Sequence, residues 1–95
     1  DPWHLHAATR EDFARSLRQI PPEALKAFHI HNDLRPPSVT DDVPWSEVFS
    51  VIRGLPGRPY IKPAVYQKSR VAEAVAFCEK MLAAPQVRYA AGPQA

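Results

Sequence analysis

Two short apolar runs, 27–31 and 59–66, stand either side of a segment with helical periodicity, and that alternation leaves few architectures open. Between them Trp45, Val48, Phe49, Ile52 and Leu55 recur at helical spacing until Gly54-Leu55-Pro56-Gly57 stops them. Asp42 is placed to cap this helix, with Pro44 in its first turn. Upstream, Phe13, Leu17 and Ile20 mark one face of a helix over about 10–19. Thr9 is its expected N-cap, Glu11 and Asp12 lie in its first turn, and Pro21-Pro22 ends it. Residues 23–26 read as a turn into the first strand, and Pro63 breaks the ladder near the end of the second. Ser69 begins a last helix carrying Val71, Val75, Cys78 and Leu82, with Phe77 and Met81 beside them. Strands alternating with helices make parallel βα units, whose sheets are normally covered on both faces. Two strands and a strand end before the first helix cannot close a sheet. The expected fold is therefore α/β, as part of something larger, over residues 1–84, with a weakly periodic tail over 85–95.

Composition narrows the function classes. A chain of 95 residues is at most one small domain, and 45% hydrophobic with 23% charged residues is globular. The net charge of +2 comes from dispersed residues, which predicts neither a nucleic-acid nor a membrane partner. A single cysteine excludes an internal disulfide and a Cys-based zinc site, and fits a reducing, cytoplasmic location. Nothing reads as a signal peptide or as a span of about 20 apolar residues. The opening Asp1-Pro2-Trp3-His4 reads like the interior of a longer gene product.

Chemistry concentrates in Phe28-His29-Ile30-His31-Asn32-Asp33. Residues two apart on a strand share a face, so His29 and His31 are expected to point the same way at a C-terminal strand mouth, where parallel α/β proteins place their sites. The competing reading is a strand whose histidines are only hydrogen-bonded. Asn32 and Asp33 suit loop capping or the orientation of a ligand, and Asp33 is an alternative metal carboxylate. The polar, proline-bearing loop over 33–43 is long for a plain connection. His6 is expected to face solvent. Cys78 reads as a small buried hydrophobe, and Trp45, Phe49 and Phe77 read as core.

These residues, in their order and spacing, resemble the xylose-isomerase-like TIM barrels, the sugar isomerases and epimerases, with the endonuclease IV branch more distant. Asp1-Pro2-Trp3-His4 is similar to their Asp-x-x-His signature at the end of the sixth strand. His29-Ile30-His31 is similar to the His-x-His that ends the seventh. Arg35 and then Val43-Pro44-Trp45-Ser46-Glu47 follow as in that family, with an eighth strand and a closing helix after them. The resemblance implies the C-terminal portion of a (β/α)8 barrel: the end of strand 6, then α-β-α-β-α. It implies Asp1 and His31 as metal ligands, His4 as a substrate-hydroxyl contact, His29 in a substrate role, and Arg35 holding a hydroxyl or phosphate. The implied activity is a metal-dependent isomerase or epimerase of a sugar or sugar phosphate, moving a proton next to a carbonyl. Its implied cofactor is Mn²⁺, Mg²⁺ or Co²⁺. Its partners would be the carbohydrate and the rest of the barrel, with self-association left open.

One departure is evident. The family closes its site with a Glu near the end of the eighth strand, whereas 60–66 contain no acid and Lys62 or Pro63 stands there. Lys62 then reads either as a catalytic base or replacement charge in the mouth, or as a strand lysine reaching solvent. A barrel that lost its metal and binds carbohydrate, or is purely structural, is the alternative. The nuclease branch is disfavoured by the near-neutral charge and by the lack of a further Asp-x-His after the loop.

Overall fold

The computed structural model describes residues 1–83, so the expected tail and Ala84 lie outside the described residues. Its elements run α1 (Pro2–Thr9), α2 (Phe13–Gln19), β1 (Ala27–Ile30), α3 (Trp45–Gly54), β2 (Tyr60–Pro63) and α4 (Val71–Ala83). Short 3-10 turns stand at Arg10–Asp12, Pro22–Ala24 and Lys68–Arg70. The two strands are parallel and adjacent, with Ala27 opposite Tyr60 and His29 opposite Lys62. The Ala64 N–H carries the ladder past Pro63 by donating to the Ile30 carbonyl at 3.1 Å. This is the parallel β-α-β unit that the periodicity predicts.

Phe28 and Ile30 alternate with exposed Ala27 and His29, and they share one core with Phe13 and Leu17 of α2, Val48, Phe49 and Ile52 of α3, and Cys78 of α4. The helices therefore line one face of the sheet. The opposite face bears Ala27, His29, Tyr60 and Lys62, all exposed. Trp45, Phe49 and Phe77 meet as a ring cluster with centroids 6.2–6.5 Å apart. Burial pushes the Cys78 thiol up to about 11, helped by the Glu79 charge, so this sulfur is a packing group.

Four local expectations are corrected. Asp1 to His4 is not a strand end: Pro2 opens a helix, and the Asp1 carboxylate accepts the His4 N–H as its cap. Thr9 caps nothing, because its hydroxyl donates back to the Leu5 carbonyl at 2.7 Å, inside α1. Asp42 is not the cap of α3, whose cap position is Pro44 with no side-chain bond. On α4 the buried stripe runs through Ala74 and Cys78, with Phe77 and Met81 packed beside it, while Val71, Val75 and Leu82 are more than a third exposed. Apolar residues on both sides of that helix left its register ambiguous in sequence, and α3 and β2 chose the face. Among the described residues, no helix is long and apolar enough to cross a membrane.

Candidate metal centre

The site begins with the cap of α1. Asp1 Oδ1 holds the His4 amide at 3.2 Å, which fixes the carboxylate at the helix start. One helical turn on, the His4 ring returns Nδ1 to Asp1 Oδ2 at 2.9 Å. From the other side comes His31, the residue after β1, whose Nε2 lies 3.0 Å from the same oxygen. Its side chain is 2% exposed, against 68% for His4 and 23% for Asp1. The Trp3 and His4 rings each stand 5.9 Å from the His31 ring.

His31 has a second partner. Its Nδ1 accepts the Leu34 N–H at 2.9 Å. A backbone amide can only donate, so Nδ1 carries no proton and a neutral ring holds its single proton on Nε2, directed at Asp1. Burial, chiefly, pushes the His31 pKa down. The charge on His4 adds to this and Asp33 opposes it.

The amide comes from a two-residue turn. Asn32 and Arg35 exchange both backbone hydrogen bonds, at 2.8 and 3.0 Å, and Asp33 and Leu34 between them have φ of 53° and 63°. Positive φ at both central positions is the type I′ pattern, which favours Asn or Gly at the place Leu34 fills. The Leu34 carbonyl accepts the Tyr66 N–H at 2.7 Å, so this residue is held from both ends.

The rest of the loop is organised by Asp41. Its carboxylate accepts the Asn32 side-chain amide at 2.9 Å, the Ser38 N–H at 2.7 Å and the Trp45 indole N–H at 2.8 Å. Asn32 is therefore a loop brace, consistent with its capping reading. Trp3 and Asn32, which flank His31, also line a cavity of about 400 Å³ with His6, Arg10, Thr40 and Asp42. His6, expected in solvent, is half-buried with its ring edge-on to Phe13.

Of the six residues singled out by sequence, the structure brings Asp1, His4 and His31 together and leaves three elsewhere. His29 is exposed on β1, so it does not share the buried setting of His31, because the strand ends at Ile30. Lys62 stands opposite His29, two residues short of Ala64, and among the described residues it forms no ion pair. Arg35 lies on the exposed shoulder of the turn, 3.6 Å from the Asp33 carboxylate. Leu34 and Asp41 escaped sequence reasoning. A leucine at positive φ has no signature, and the spacing of Asp41 to Trp45 is meaningful only once the loop has closed.

One carboxylate oxygen and two imidazole nitrogens, all within 4.8 Å of one another, suit a divalent metal in donor type and spacing. Asp1 and His31 would be ligands, and His4 adds a third. Scanned against protein-family models, curated proteins and solved structures, the chain matches none.

Proposed function

We propose that this chain supplies metal ligands and substrate contacts to a metal-dependent sugar or sugar-phosphate isomerase or epimerase built as a (β/α)8 barrel. The convergence of Asp1, His4 and His31 carries the reading. A divalent ion held there would chelate adjacent sugar oxygens and ease enolisation as a Lewis acid. Asp1 contributes the negative charge, and α1 fixes its position through the cap. His31 contributes a buried ring, with the Trp3 ring 5.9 Å away. The nearby cavity offers an aromatic wall with amide, hydroxyl and carboxylate groups, a lining suited to a polyol. With no acid in 60–66, proton transfer would fall to Lys62, exposed on the other sheet face, or to groups beyond this chain.

A second reading is a barrel domain that has lost its metal, favoured by the acid-free last strand and by the engaged lone pair of His31. Titration of the full-length protein with Mn²⁺ and Co²⁺, followed by calorimetry and thermal melting, separates the two. A bound ion at 100 times its Kd should stabilise the fold by about 2.7 kcal/mol. His31→Ala should abolish that gain. An unchanged melting temperature at millimolar metal defeats the metalloenzyme reading.

A further inference from the structure

We infer that Leu34 is a positioning residue for His31: its amide latches the ring in a form that cannot ligate, so loading the centre requires the turn over 32–35 to open. This rests on the metal reading above and concerns how that site is controlled. With the Leu34 N–H on Nδ1, the ring proton is on Nε2, the atom 3.0 Å from Asp1 that faces the other donors. A metal takes a lone pair, so ligation at Nε2 sends the proton to Nδ1. There it meets the Leu34 N–H at 2.9 Å, two donors facing each other, and one of them must leave. His4 is under no such constraint. Among the described residues nothing is bonded to its Nε2, so its proton can move there without disturbing the backbone.

The turn is built to release. Leu34 sits at φ 63°, a left-handed conformation that costs a leucine steric strain comparable to one hydrogen bond. The bond to His31 offsets that strain. Once it is lost, the remaining backbone tie at this residue among the described residues is its carbonyl to the Tyr66 N–H, which couples the turn to the segment after β2. Metal at Asp1–His31 and the closed turn therefore exclude each other.

Two substitutions at Leu34 push in opposite directions. Leu34→Pro removes the donor and cannot adopt positive φ, so it unlatches the ring. Mn²⁺ affinity of the full-length protein, by calorimetry, should rise by about tenfold. Leu34→Gly keeps the donor and relieves the strain, so affinity should fall by about threefold. The wild type gives an independent readout in ¹H–¹⁵N long-range spectra with Zn²⁺ as a diamagnetic probe. The His31 proton should move from Nε2 to Nδ1 and the Leu34 amide signal should shift. Equal affinities in the wild type and both variants, a weaker Leu34→Pro variant, or an Nε2 proton that persists at saturating Zn²⁺ would overturn the latch and leave the metal centre standing. No binding by any of the three proteins removes the centre and the latch together.

Discussion

His31 engages both of its ring nitrogens in the folded chain. It is buried, and its two nitrogens are used in opposite senses, one accepting from Leu34 and one facing Asp1. Burial lowers its pKa, so the folded ring resists protonation. The unfolded chain takes up this proton near pH 6.5, whereas the folded chain does so only at lower pH. Stability from this residue is thus complete above about pH 6.5 and declines as pH falls below it. Urea midpoints between pH 8 and 5 should show a wild-type decline that is shallower in His31→Gln. Parallel curves for the two proteins would show that the ring titrates alike folded and unfolded.

At the level of elements, the loop between β1 and α3 is held by one carboxylate. Asp41 accepts from three donors, two of them fixed in the loop and one at the head of α3. Asp41→Ala would strand the Trp45 indole N–H, the Ser38 amide and the Asn32 side chain, at a cost of about 2–3 kcal/mol by urea denaturation. A loss below about 0.5 kcal/mol, no larger than that of an ordinary surface change, would mean water replaces the carboxylate. The loop was readable as unusual from its length and prolines. Its wiring was not, because the hydrogen bond from the Asn32 amide to the Asp41 carboxylate spans nine positions and depends on how the turn at Asp33 and Leu34 folds back.

For the molecule as a whole, helices cover one sheet face among the described residues, with Phe49 of α3 fully buried and its ring edge-on to Phe77 of α4. Phe49→Ala should cost about 3–5 kcal/mol. Val75→Ala, on the exposed side of α4, should stay within about 0.5 kcal/mol, and thermal melts of the pair check which stripe faces the core. A large loss at Val75 would mean that side of α4 is covered in the protein as it exists. The other face carries His29 and Lys62 in register, both exposed, whereas parallel sheets are normally covered on both faces.

From α2 onward, local pattern along the chain was enough to set the order of elements and most of the core. Helical spacing of Val48, Phe49 and Ile52 and the short apolar runs are local patterns, and burial of apolar surface enforces them wherever the chain packs. The sequence also singled out Asp1, His4 and His31, through the resemblance of their two short motifs to a family signature. Tertiary structure alone decided that His29 and His31 part company. It also decided which side of α4 is buried, and that the amide of an exposed leucine is bonded to a buried imidazole. Each of those outcomes turns on a partner distant in sequence or on a backbone angle that leucine rarely adopts. Neither leaves a trace in local periodicity.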